Sequence, residues 1–154
     1  MTLTIRPDDL QSPDVQALVA EHLAGMHSHT PACHVHALAI ESLRGPGVTF
    51  WCAWRGEMLC GCGALRELDA TSGEVKSMRT RPAFVRQGVG QAVLNEIIAT
   101  ARRRGYQRLY LETGTGAAFG AAHALYLRNG FQWCGAFGDY VAAEFNVFMT
   151  KALF

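Results

Sequence analysis

The sequence predicts an α/β fold, with a mixed, largely antiparallel central sheet of about seven strands flanked by four helices. Three observations predict it. The elements read in the order β-α-α-β-β-β-α-β-α-β-β. The stretch from Gly73 to Ala101 reads as a strand, a glycine-bearing turn and a helix whose apolar residues, Val89, Val93, Leu94, Ile97, Ile98 and Ala101, share one face. Finally, 49% of the 154 residues are hydrophobic, which supplies a substantial core for a chain of about one domain, taken as residues 1–154.

Each element has a local cause. Thr2 to Arg6 alternates and reads as a short strand, ended by Pro7-Asp8-Asp9. Ser12 is a candidate N-cap with Pro13 at the first helical position, and Val15, Leu18, Val19, Leu23 and Met26 form the stripe of the helix that follows. His27 to His36 is polar and irregular. A short helix, Ala37 to Arg44, stops at Gly45-Pro46-Gly47. Val48 to Trp54 is strongly β-prone, Arg55-Gly56-Glu57 is a hairpin turn and Met58 to Leu68 is the partner strand. Gly61 and Gly63 inside that partner suggest a bulge or tight packing.

After a turn from Leu68 to Gly73, the central strand runs from Glu74 to Thr80 and should end near Pro82, which has no N–H to donate. On a strand with a period of two, Glu74, Lys76, Met78 and Thr80 share one face. The turn Arg86-Gln87-Gly88-Val89-Gly90 opens the central helix, and Gly105 follows three arginines at its end. Arg108 to Thr113 is a strand, broken by Gly114-Thr115-Gly116, and Ala117 to Arg128 a helix. Phe131 to Phe137 and Asn146 to Leu153 are the last strands, separated by a loop carrying Gly138-Asp139-Tyr140.

Composition narrows the function. A formal net charge of +1 gives no global field toward nucleic acid or an anionic membrane. No apolar run approaches the roughly 20 residues of a membrane span, and Met1 to Arg6 lacks the apolar core of a signal peptide. Five cysteines without a CxxC point to a cytoplasmic protein with reduced thiols. His22, His27, His29, Cys33, His34 and His36 crowd the early chain, but their spacing matches no standard zinc pattern, so no metal is expected. Arg102-Arg103-Arg104 reads as a solvated helix end, and Cys60 and Cys62 as small buried residues.

The turn before the central helix is where chemistry is expected. A helix N-terminus presents unpaired N–H groups and the positive end of the dipole, which attract phosphate. Glycines there let a bulky anion approach the backbone, and Arg86 adds a positive charge. Gly88-Val89-Gly90 alone reads more readily as an ordinary strand-to-helix turn that needs glycine for its φ angles.

The wider pattern resembles the GNAT superfamily of N-acetyltransferases, and within it a YsnE-like bacterial branch. The pyrophosphate motif of that superfamily, Q/R-x-x-G-x-G/A after a strand, falls on Val85-Arg86-Gln87-Gly88-Val89-Gly90, with Val85 a departure at the first position. Ala124-Leu125-Tyr126 and Asn129-Gly130-Phe131 resemble its helix signature. Gly61 to Leu65, Glu74 to Thr80, Leu111 to Gly114 and Val147 to Thr150 resemble the branch.

The resemblance implies acetyl transfer from acetyl-CoA to an amine, in a fold where the strands holding Glu74 and Glu112 splay apart. Backbone groups around Met78, Arg79 and Thr80 would hold the pantetheine arm, and Arg86, Gln87, Gly88, Val89, Gly90 and Gln91 the pyrophosphate. Glu74 would be the base, with His123 or a water chain as alternatives, and Tyr126 the acid. Many relatives have an asparagine where this chain has Phe119. The acceptor pocket would draw on His34, His36, Glu112, Asp139 and Tyr140, of which His36, Glu112 and Tyr140 are the first choices. The acceptor expected is a small-molecule amine, amino-acid-like if a cation such as Lys76 or Arg79 faces the pocket. The alternatives are a non-catalytic acetyl-CoA-binding domain and a protein acetyltransferase. Homodimers are common in this superfamily.

Overall fold

A computed structural model describes residues 2–24 and 40–154 of the chain, with the side chains of 22–24 excepted. The strands are β1 (Leu3–Pro7), β2 (Val48–Arg55), β3 (Met58–Asp69), β4 (Ser72–Thr80), β5 (Arg108–Gly114), β6 (Gln132–Cys134) and β7 (Asn146–Ala152). The helices are α1 (Pro13–Ala24), the helical residues 40–44 as α2, α3 (Val89–Arg103) and α4 (Gly120–Arg128). The seven-stranded sheet has the order β1-β2-β3-β4-β5-β7-β6. β4 and β5 pair in parallel, while β1–β2, β5–β7 and β6–β7 are antiparallel, which is the mixed, mostly antiparallel sheet expected.

The chain forms two compact units, Met1–Leu65 with Ser77–Ile97, and Arg66–Lys76 with Ile98–Phe154. In the first, α1 starts as its sequence dictates: the Val15 N–H reaches Ser12 Oγ at 3.3 Å and the Gln16 N–H reaches the Ser12 carbonyl at 3.1 Å. The stripe residues Val15, Leu18 and Val19 are buried with Leu10, Leu43, Phe50, Cys52, Leu59 and Cys62. Tight packing explains the β3 glycines. A Cβ on Gly61 would lie 2.7 Å from the Arg79 carbonyl oxygen and 2.8 Å from Val89. One on Gly63 would lie 2.6 Å from both the Met78 sulfur and Val93.

In the second unit, β5 is the axis. Its ladder with β4 runs from Ser72↔Arg108 to Val75↔Leu111, and its ladder with β7 from Arg108↔Ala152 to Gly114↔Asn146. β5 therefore continues to Gly114, three residues past its last partner on β4. Leu109, Leu111, Tyr126, Phe131 and Met149 are buried.

Three expectations are corrected. The helix predicted from Ala117 is a 3-10 turn, Ala117–Phe119, before α4 starts at Gly120, because Gly116 at φ 95 delivers the chain in a non-helical conformation. The strand predicted from Phe131 to Phe137 shrinks to Gln132–Cys134, after which Gly135 to Tyr140 leaves the sheet. The single face predicted for Glu74, Lys76, Met78 and Thr80 is interrupted at Ser77, which has φ 56 in mid-strand. A left-handed residue inside a strand breaks the alternation of side chains. Glu74 and Lys76 do meet the same tyrosine, while the Met78 sulfur sits at Gly63.

Candidate active site

The turn before α3 is an open, cationic loop. Val85, Arg86, Gln87 and Gly88 are exposed, and Val89 is buried as the first residue of the helix. Gly88 has φ 82 with nothing within 4 Å of where a Cβ would stand, so its glycine meets a backbone requirement and leaves free space above the loop. Arg86 takes φ 62 although it is not glycine. Ala92 N–H donates to the Gly88 carbonyl at 3.0 Å, so the helical ladder opens on the loop and its first N–H groups lie at this end of the helix. Arg55, the last residue of β2, reaches this loop and hydrogen-bonds both the side-chain oxygen and, at 3.5 Å, the carbonyl of Gln87. The sequence carried no sign of this partnership, because 32 residues separate the two. Upstream, Arg79 Nε is buried without a hydrogen-bond partner among the described residues.

The second unit contains a cavity of about 540 Å³ lined by Arg66, Leu68, Ser72, Glu74 and the aromatic residues Tyr110, Phe137 and Tyr140, with Asp69, Gly138 and Asp139 completing the lining. Glu74 is 1% exposed and bonded on both oxygens. Tyr140 donates to its Oε2 at 2.5 Å, Lys76 Nζ stands 3.6 Å from the same oxygen and Arg66 stands 3.5 Å from Oε1. Two cations and a phenol thus stabilise a buried carboxylate that would be costly alone. Burial first, and then the bond to Glu74, pushes the Tyr140 phenol above its ordinary range. Phe137 bridges Tyr110 and Tyr140 with ring centroids 5.0 and 5.1 Å away.

The remaining predicted residues scatter. Glu112 does not line the cavity; its Oε2 accepts from Asn146 Nδ2 at 2.9 Å. His123 Nε2 lies 2.8 Å from the Gly114 carbonyl, with its ring edge-on to Trp133 at 5.1 Å. Tyr126 is 5% exposed against Phe131, and burial pushes its phenol up. Phe119 lays its ring over Gly114, where a Cβ would come within 2.3 Å of it. His34 and His36 lie outside the described residues. Among the described residues no group of three His, Cys, Asp or Glu could hold a metal ion.

Arg66, Tyr110 and Phe137 are cavity residues that the sequence reading missed. Arg66 and Leu68 alternate on β3 as Ser72 and Glu74 do on β4, and all four line the cavity across the turn at 70–71. That pattern was readable; the return of Phe137 from the end of the chain was not.

The profile of the acetyltransferase (GNAT) family matches residues 15–131. The chain is 52% identical to the N-acetyltransferase YsnE of Bacillus subtilis (strain 168), over 97% of this chain and 99% of that protein. It is 49% identical to the N-acetyltransferase YedL of Escherichia coli (strain K12), over 97% and 94%. Among solved structures, a GNAT family acetyltransferase from Elizabethkingia anophelis with acetyl-CoA bound superimposes with a TM-score of 0.70 at 18% identity, covering 97% of each chain.

Proposed function

Since the chain belongs to the GNAT family and is an acyltransferase of the N-acetyltransferase type, we propose that it moves acetyl from acetyl-CoA to a primary amine of a small molecule, by direct attack in a ternary complex. One observation carries the reading of the acceptor: a buried carboxylate, Glu74, borders a cavity of small-molecule size.

The residues of the first unit fit the proposed co-substrate. The loop from Arg86 to Gln91 offers a helix N-terminus, a positive side chain and the open space above Gly88 to a pyrophosphate. Met78, Arg79 and Thr80 would serve the pantetheine arm and polarise the thioester carbonyl through their backbone groups. Bound acetyl-CoA supplies the activated acyl group.

The chain's own side chains would manage protons. An alkyl ammonium has a pKa of roughly 10 and must lose a proton to attack. Glu74 is the proton acceptor in this reading. Tyr126 is the donor to the departing thiolate, and its burial keeps the phenol protonated for that task. Arg66, half exposed at the cavity wall, supports an acceptor that carries a carboxylate, such as an amino acid. The unpaired thiols of Cys52, Cys60, Cys62 and Cys134 support a cytoplasmic location.

Thermal unfolding with and without acetyl-CoA, with ATP as a phosphate-only control, tests the co-substrate site. At roughly 100 times its Kd, acetyl-CoA should add about 2.7 kcal/mol to the native state. A shift with acetyl-CoA and little with ATP is expected, followed by CoA release in the presence of an accepted amine. No shift at millimolar acetyl-CoA would end the enzyme reading.

A further inference from the structure

We propose that Tyr140 is the group that touches the acceptor amine, taking its proton while handing its own to Glu74. This rests on the acetyltransferase reading above and changes which residue meets the substrate.

The geometry carries it. Glu74 lines the cavity but is only 1% exposed, and both of its oxygens are already engaged: Arg66 holds Oε1, and Tyr140 and Lys76 hold Oε2. Tyr140 is half-buried and lines the cavity beside Phe137 and Tyr110. Its hydrogen is committed to Glu74 at 2.5 Å, which leaves its oxygen as an acceptor. Lys76 Nζ donates to that oxygen from 3.3 Å, and a phenol oxygen has room for a second donor. An ammonium arriving in the cavity therefore meets an oxygen whose outgoing proton already has a destination. The aromatic wall made by Phe137 and Tyr110 suits the cation and the apolar body of such an amine.

The step balances. One N–H bond of the ammonium breaks as an O–H bond forms on Tyr140, and the original Tyr140 O–H bond breaks as one forms on Glu74 Oε2. The amine becomes neutral, Tyr140 is unchanged and Glu74 holds the proton, which returns through Tyr140 to water once the acetylated amine has left. The charged groups around the phenol are Glu74 and Lys76 from β4, Arg66 from β3, Glu112 from β5 and Asp139 from its own loop.

The experiment compares the wild-type chain with Tyr140→Phe, Glu74→Gln and the double variant. CoA release is followed against a panel of phenylalanine, lysine, tyramine and spermidine, from pH 6 to pH 10. In the wild type, kcat/KM should level off well below the amine's own pKa. In each single variant it should fall about 100-fold at pH 7 and climb with pH as the neutral amine accumulates. The double variant should be no slower than the slower single one, because two members of one relay fail together. The acetyl-CoA thermal shift should persist in all four. A Tyr140→Phe profile that matches wild type while Glu74→Gln is impaired overturns the relay, as do single losses that multiply in the double variant. If Tyr140→Phe fails to fold, a wild-type profile in Glu74→Gln overturns it. A wild type that acetylates nothing in the panel despite binding acetyl-CoA overturns the small-amine reading and the relay together, whereas an active wild type with unaffected variants removes the relay alone.

Discussion

The Tyr140 hydroxyl donates a 2.5 Å hydrogen bond to Glu74 Oε2 across 66 residues of sequence. It ties the loop before β7 to the strand β4, and so makes the cavity a product of that loop's conformation. Asn146 holds the loop: its Oδ1 accepts from the Ala143 N–H at 2.7 Å, and its Nδ2 donates to the Val141 carbonyl at 3.2 Å and to Glu112 at 2.9 Å.

Asn146→Ala should therefore release the loop without touching the cavity. The expected result is a several-fold rise in KM for the acceptor with a much smaller change in kcat, and a stability loss of about 1–2 kcal/mol. Steady-state kinetics and urea unfolding of the same variant check both parts. An unchanged KM would show that the loop holds its shape without Asn146.

Tyr126→Phe removes the proposed proton donor and keeps the ring packed against Phe131. Stability should change by less than about 1 kcal/mol, because the hydroxyl makes no hydrogen bond with the described residues. The turnover number should fall by about 100-fold, with KM for the acceptor nearly unchanged. A variant that keeps full kcat would remove Tyr126 from the chemistry.

Gly61→Ala should cost more stability than Gly63→Ala. The added methyl at Gly61 meets the Arg79 carbonyl, which is backbone, at 2.7 Å, whereas at Gly63 it meets the end of the flexible Met78 side chain at 2.6 Å along with Val93. Overpacking of this kind costs about 1–3 kcal/mol, and the two sites should fall toward opposite ends of that range. Urea unfolding of the two variants at one pH decides the order.

Stability should fall at alkaline pH. Burial pushes the Cys62 thiol up to about 12 and raises Cys52, Tyr126 and Tyr140 as well. All four keep their protons in the native state while the unfolded chain releases them, the thiols above about pH 8.5 and the phenols above about pH 10. Because the unfolded state then binds fewer protons, stability decreases as pH rises, by about 1.4 kcal/mol per unit for each group fully ionised only in the unfolded chain. It is fully present below pH 8. Cys62→Ala should lose part of the slope between pH 9 and pH 11 in urea titrations; an unchanged slope would place the alkaline loss elsewhere.

The parts of the site that lie close together in sequence were legible in advance. The turn before α3 and α3 itself follow from Gly88, Gly90 and the apolar stripe of Val93, Leu94, Ile97 and Ile98, because backbone freedom and a period of 3.6 are local properties. Glu74 and Tyr126 could be singled out by type and position. The partners of Glu74 could not all be: Lys76 is two residues away, but Tyr140 arrives from the far end of the chain. Ser77 was not legible, since its φ of 56 is imposed on an ordinary residue.

The sequence by itself determined the order of elements, the strand–turn–helix with its open N–H groups, and the residue types available for moving protons. These depend on local sterics and hydrophobic period. Tertiary structure alone decided that Glu74 is buried rather than solvated, that Arg66, Lys76 and Tyr140 bond it, and that Tyr140 joins it in lining the cavity. The reason is that the burial and bonding of a carboxylate are set by the groups brought within a few ångströms of it, and here one of them comes from 66 residues away.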